Sequence, residues 1–516
     1  MERWTLRAEL NEEEQSVAAV LKRTGKFYLF LRKVQPLLFD DVFQAELESG
    51  YKPRGTDPVP PALLAMVTLL QAYDRTSDAE AVERGALDLR WQLVLGCIGA
   101  KKAPFSQGVL VDFRERMIAQ NLDQRLVDRT VELAKQTGLY GWQHVRAMLD
   151  SSPLLGAGRV EDTWNLIGRA LDTVVECAAA GLKIPRQRIL DQAGMKLLSG
   201  SSLKAALDID WDDPEQQAEA MKRLLAEVAA LRKWVSEHAG HQAMEGPLKA
   251  ALDALSRVLE QDLEPDPGGG SRIKQGVAKD RMPSLGDKEM RHGRKSKAKT
   301  FNGYKRHVLG LAGTDLIAGA LVRPANSPEH ETLAPLVEDA RRHGEVEEIL
   351  IDRAFLSSTH IPTLRKRGVV IRSKPWPSRN AGRFTKEAFA IRLDRSEVEC
   401  PAGKRARIRR LGSVVHFAKA ACEACELRIR CTVAEPGRGR SLAIHAHEDL
   451  LIELRNLKKT PEGRASLRER TAIEHRLARI HAIQGPRARY KGARKNTLDV
   501  RRCAAVNNLQ VLQRAA

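Results

Sequence analysis

Two short apolar runs that each close on an aspartate constrain this chain more than any other feature. They are His144-Val145-Arg146-Ala147-Met148-Leu149-Asp150 and Val346-Glu347-Glu348-Ile349-Leu350-Ile351-Asp352. Both read as strands. Gly303-Tyr304-Lys305-Arg306-His307-Val308-Leu309-Gly310-Leu311 and Leu316-Ile317-Ala318-Gly319-Ala320-Leu321-Val322 read as a hairpin around Gly313-Thr314-Asp315. Residues 330–343 and 359–367 have helical spacing, and Gly368-Val369-Val370-Ile371 is a further strand. The order β, helical insert, β, β, α, β, α, β predicts an α/β fold, a mixed sheet with helices on its faces.

In that order the first and fourth strands can lie side by side, which brings Asp150 and Asp352 together. Adjacent carboxylates repel unless a divalent cation sits between them, and oxygen ligands suit Mg²⁺ or Mn²⁺. Glu474 is the best third acid, because it lies in a helical stretch over residues 464–483 surrounded by arginine. Asp162 is a rival for the first position, but it follows no apolar run.

Outside the sheet, residues 1–140 read as a helical domain, with Pro58, Pro60 and Pro61 before an apolar helix at 63–70. Residues 141–160 hold the first strand, and residues 161–270 a helical insert and linker. In the insert Leu248, Leu252, Leu255 and Leu259 form one helix face, and the prolines and glycines of 264–271 read as the flexible linker. The rest of the sheet follows at 271–380, a Cys-rich insert at 381–445 and C-terminal helices at 446–516.

The formal charge is +19, which excludes an acidic tail protein, and it is concentrated. Residues 280–310, 401–440 and 464–502 carry +6, +7 and +9, leaving −3 for all others. Such islands are the footprint of a polyanion surface. No stretch approaches the roughly 18 apolar residues that would span a bilayer, and the charged start is unlike a signal segment, so a soluble, intracellular protein is expected.

Five motifs in order, Asp150, Gly303-Tyr304-Lys305-x-His307, Ile351-Asp352-x-Ala354-Phe355, Arg470-x-x-x-Glu474 and Arg489-Tyr490-x-Gly492-x-x-Lys495, resemble bacterial insertion-sequence transposases of the DDE class. The resemblance covers almost the whole chain. It implies an RNase H-like catalytic core in which Asp150, Asp352 and Glu474 hold two Mg²⁺ or Mn²⁺ ions, cut double-stranded DNA at the element's terminal inverted repeats and join the freed 3′-hydroxyl to target DNA. It implies a bacterial cytoplasmic, nucleoid-associated protein with no membrane partner that forms a homo-oligomer on DNA. Arg294, Lys295 and Lys297 in the basic stretch 290–299, with Lys305, Arg470, His481, Arg489, Tyr490 and Lys495, are the candidate DNA contacts. Tyr490 could stack on a base or pack internally. Many relatives have Tyr and Lys where this chain has Leu467 and His481. An inactive DNA-binding relative and a nuclease that cuts without joining are the alternatives.

Cys400, Cys422, Cys425 and Cys431 are spaced C-x21-C-x2-C-x5-C, and four thiolates suit a structural zinc ion, with His416 a possible substitute ligand. Cys97, Cys177 and Cys503 read as inert core thiols.

Overall fold

The computed structural model describes residues 3–51, 58–138, 143–200, 202–240, 245–296, 298–435 and 437–515. Five strands form its central sheet: β1 (His144–Leu155), β2 (Thr300–Leu311), β3 (Ile317–Pro324), β4 (Glu345–Leu350) and β5 (Val370–Arg372). Their order is β3-β2-β1-β4-β5, with the β3-β2 and β2-β1 pairs antiparallel and the β1-β4 and β4-β5 pairs parallel. A short strand, Arg291–Arg294, extends the edge of β2 beside Gly303. Gly303 has φ +148°, and a Cβ there would stand 2.3 Å from Leu154 O and Gly156 N, so only glycine lets β1 and β2 close at this end.

Asp150 does not end its strand. β1 runs on to Leu155, and Asp150 pairs with Val308 of β2. What ends near Asp150 is the partnership with β4, whose last pair is Met148 with Leu350. Asp150 and Asp352 each stand two residues beyond that pair, at the same level on parallel neighbours, where the strands part.

Three helices set the surroundings of this crevice: α1 (Leu122–Gln136), α2 (Thr471–Gln484) and α3 (Ala493–Ala515). A Cβ on Gly310 would meet Arg476 of α2 at 2.8 Å, whereas one on Gly319 would meet Asp339 of the Leu333–Arg341 helix at 2.7 Å. Gly319 pairs with Leu309, so these helices cover opposite faces of the sheet. Residue parity puts Asp150, Ser152, Arg306 and Val308 on the Gly310 face, under α2.

The N-terminal helices are built as the sequence predicts. Pro61 occupies the first turn of Pro61–Asp74, whose residues from Pro61 to Ala72 are all buried, and Ser77 and Glu80 make a capping box for Asp78–Leu87. These helices and the sheet share one apolar core, joined through α1 and α3. The insert has its own core around Trp164, Leu171, Leu231 and Leu255, and the leucine stripe faces it, with Leu248 and Leu255 buried and Leu252 and Leu259 partly so. The expected linker is instead a hairpin, with Leu263–Pro265 antiparallel to Ser271–Ile273 and the Asp-Pro-Gly-Gly-Gly run as its turn. A third core, around Phe389, Val398, Val415 and Leu442, supports two small sheets in the Cys-rich segment. Among the described residues no helix is long and apolar enough to cross a membrane.

Candidate active site

Asp150 lies on the sheet face that α2 covers, with its side chain 16% exposed. Burial raises its carboxyl above the usual range, the Arg470 charge opposes that shift, and Asp352 adds to it. Asp352 is therefore near enough for its charge to act on Asp150. Asp352 stands at the start of the short helical turn Arg353–Ser357, makes no capping bond with its side chain and is half-buried.

Glu474 enters from the first turn of α2 and is 56% exposed. Arg470, at the start of that helix, donates to Asp150 at 2.8 Å and to Glu474 at 3.1 Å. The third acid is thus tied to the first through a guanidinium. Nearby, Arg146 of β1 bridges Glu348 of β4 at 2.6 Å and Glu469, at the end of the Pro461–Glu469 helix just before α2, at 2.8 Å. Arg353, next to Asp352, is half-buried, and among the described residues its buried Nε has no hydrogen-bond partner. Asp162 is occupied elsewhere: it caps the Thr163–Leu182 helix and meets Lys204 at 3.0 Å.

The candidate DNA contacts separate into exposed and engaged groups. Arg294 and Lys295 are exposed at the tip of the basic loop, and Lys495 is 55% exposed beside Glu115 at 4.0 Å. Lys297 lies outside the described residues. Lys305 is paired with Glu329 at 2.9 Å, both side chains 17% exposed. Arg489 donates to the Thr76 carbonyl. Tyr490 packs under the guanidinium groups of Arg114, Arg489 and Arg502, each 5.8 Å from its ring, and its hydroxyl is buried. The internal alternative for Tyr490 is the one its surroundings favour. His481 faces Arg306 at 2.7 Å through Nδ1, and burial followed by the Arg306 and Arg75 charges holds its imidazole below the ordinary range. A histidine in that state is an acceptor for Arg306 and brings no positive charge of its own.

The family described as Transposase DDE domain matches residues 398–513, and the family described as Transposase domain (DUF772) matches residues 19–116. No curated protein and no solved structure matches the chain. The two matches fall at the ends of one shared core, and the first contains Glu474. Both matches support an insertion-sequence transposase of the DDE class. Neither match reaches Asp150 or Asp352. DDE transposases act on DNA and generally use divalent metals.

Among the described residues of this transposase, no group of three or more His, Cys, Asp or Glu side chains is gathered closely enough to hold a metal ion. Asp150 and Asp352 supply a fitting pair of hard oxygen donors. Glu474 is the donor that stands apart, held by Arg470. The four cysteines are half-buried and unpaired, and they lie in one module, since Cys400, Cys422 and Cys425 all influence the Cys431 thiol, whose pKa burial raises first. The Arg440 amide already donates to Cys422 Sγ at 3.4 Å.

Sequence reasoning missed how the Tyr304 and Gly492 motifs meet. Tyr304 is fully buried and its hydroxyl bonds to Asp287, while the Gly492 amide donates to Tyr304 at 3.1 Å and to Asp287 at 3.2 Å. Glu289 accepts from the Ala493 amide at 2.9 Å. Two carboxylates therefore hold the N-terminal end of α3, where free amides and the helix dipole favour negative charge. The only sequence signal was an acidic pair, Asp287 and Glu289, inside an otherwise basic stretch.

Proposed function

We propose that Asp150, Asp352 and Glu474 are the catalytic acids of this transposase, in an RNase H-like core, and that they bind two Mg²⁺ or Mn²⁺ ions. The observation that carries the reading is the β1-β4 register, which sets Asp150 and Asp352 side by side just past the last strand pair. A strand order of β3-β2-β1-β4-β5 with two antiparallel and two parallel pairs supports the core assignment.

When bound, the two ions supply activation of the attacking oxygen and stabilisation of the leaving one in an in-line displacement at phosphorus. The chain's own part is to hold three carboxylates near one point, to present Arg470 and Arg353 to phosphate oxygens, and to bring the exposed Arg294, Lys295 and Lys495 against the DNA backbone. Arg470 must leave at least one acid for the triad to close, which frees a bidentate donor beside the scissile phosphate. No covalent protein–DNA step is required: water serves as nucleophile for cutting and the DNA 3′-hydroxyl for joining.

In the same reading the N-terminal helices at 1–140 recognise the terminal inverted repeats, the chain acts as a homo-oligomer on DNA at the nucleoid, and Cys400, Cys422, Cys425 and Cys431 hold a structural zinc ion. A strand-transfer assay with Mg²⁺ on DNA carrying the element's ends tests the central claim. Joining by the wild type and its loss in Asp352→Asn support it. Cutting without joining would identify a nuclease, binding alone an inactive relative, and undiminished joining by Asp352→Asn would remove Asp352 from the site.

A further inference from the structure

Among the described residues Arg306 and Arg476 are the two largest charged side chains that are fully buried, and Arg306 has 0% of its surface exposed. It lies on β2 opposite Ser152, on the same sheet face as Asp150 and beneath α2. Its guanidinium donors are distributed over two elements. On β1, Nε donates to Ser152 Oγ at 2.8 Å and Nη2 to the Pro153 carbonyl at 3.4 Å. At the end of α2, Nη1 donates to Gln484 Oε1 at 2.7 Å and to the Gly485 carbonyl at 3.2 Å, and Nη2 meets His481 Nδ1 at 2.7 Å.

Every one of these partners is neutral. Burial lowers the guanidinium to about 10, so it remains charged at neutral pH. A buried cation with no direct ion pair is costly even with the Asp499 carboxylate acting on it through space, and an aliphatic side chain would fill the same space with less desolvation. Packing alone therefore does not account for an arginine here. The rigid fork does, because it meets acceptors on both elements at once.

We infer that Arg306 is a positioning residue for the strand-joining reaction, a clamp that fixes the far end of α2 against β1 and so sets Glu474 relative to Asp150. The inference rests on the active-site reading above. Arg470 holds the near end of α2 to Asp150, and Glu474 lies between the two attachments. With only the near end held, the helix can roll, and carboxylate misplacement of about 1 Å is enough to cost on the order of 10²-fold in rate. His481 belongs to the same clamp: it stands in this chain as an acceptor, and a lysine at that position would put an ammonium against a buried guanidinium.

The test compares Arg306→Met, Arg306→Lys and the milder Ser152→Ala with wild type in single-turnover joining of a pre-cut end, with Mn²⁺ titration of the DNA-free protein by electron paramagnetic resonance. Both Arg306 variants should lose about tenfold or more in joining rate, with half-saturation by DNA changed less than about twofold, and should need about fivefold more Mn²⁺. Ser152→Ala, which keeps the fork but removes one acceptor, should show the same split at about threefold. Unchanged joining and Mn²⁺ affinity with only a lowered melting temperature would overturn the inference, as would full joining by Arg306→Lys, which retains charge without the fork. Glu474→Gln is the control. Full joining by Glu474→Gln would overturn the active-site reading and the inference with it, whereas its loss beside full joining by Arg306→Met would overturn the inference alone.

Discussion

Arg470 donates to Asp150 at 2.8 Å although 320 residues of sequence separate them. Through its second terminal nitrogen it also holds Glu474, so one guanidinium lies between two of the three proposed catalytic acids. Asp150 is desolvated and has Asp352 beside it, and the arginine is the charge that compensates both effects. Asp150 and Glu474 would hold a divalent ion together only once Arg470 released at least one of them.

Removing Arg470 should therefore have effects of opposite sign. Arg470→Gln leaves the acids without their internal counter-charge, so Mn²⁺ binding to the DNA-free protein should tighten by about threefold or more. Strand joining should fall by about tenfold or more, because a charged donor to the phosphate is lost. Calorimetric Mn²⁺ titration and a joining assay read the two effects separately. Weaker Mn²⁺ binding in the variant would show that Arg470 assembles the acids instead of standing in their way.

A second prediction concerns how the N-terminal helices are joined to the core. Asp123, on α1, has its side chain 2% exposed and accepts from Arg494 at 2.7 Å on both oxygens and from Arg501 at 3.2 Å, both on α3. Arg494 is 38% exposed and can turn to water, but Arg501, 10% exposed, would lose its ion pair, at a cost of about 1–3 kcal/mol. Asp123→Ala should lower the unfolding free energy by that amount in urea titration. A loss below about 0.5 kcal/mol would place this contact with ordinary surface pairs.

These pairings explain which parts of the molecule could be read from sequence. Strand order, the turn at Gly313-Thr314-Asp315, the neighbouring aspartates and the leucine stripe follow from local periodicity and strand adjacency, and they are visible in a linear pattern. The charge islands are another matter. Arg306, Arg476, Arg501 and Arg502 are buried, and Arg494 is spent on Asp123, so part of the +6 and +9 islands supports the core and does not face DNA. A count of arginines cannot separate a guanidinium that meets carbonyls inside a fold from one that meets phosphates outside it. The same limit applies to Lys305, whose partner Glu329 lies 24 residues away, and to Tyr490, whose ring lies among arginines from three segments. The linker at 264–271 was misread because Pro and Gly serve a tight hairpin turn as readily as a loose connection.

Acid stability gives a third prediction. His307 is buried against Phe355, with Thr332 Oγ1 at 3.3 Å from Nδ1. Burial, then the Lys305 and Arg323 charges, push its imidazole down to about 3 from its ordinary 6.5. The folded state thus resists a proton that the unfolded state accepts below about 6.5. The neutral histidine's contribution is fully present above pH 6.5 and is lost as pH falls from there toward 3. Thermal unfolding across pH 4 to 7 should show a steeper acid decline in wild type than in His307→Gln. Parallel curves would mean that His307 does not contribute to the decline.

The Cys-rich segment provides the last prediction. Its buried core comprises Phe389, Val398, Ile408, Val415, Phe417, Leu442 and Ile444, and its five strands are three residues each. A module this small buries too little apolar surface to fold securely without a staple. Disulfides do not supply one, since all four cysteines are free, and the Arg440 amide is already directed at Cys422 sulfur in the way metal-bound thiolates are supported. Zinc analysis of protein prepared without chelator should return about one equivalent. Chelation, or Cys425→Ser, should then abolish hydrogen-exchange protection at Val398 and Val415 while leaving β1 and β4 protected, because the sheet has a separate core. Full protection at Val398 in zinc-free protein would mean that the seven buried side chains hold the module unaided, and the cysteines would then need another explanation.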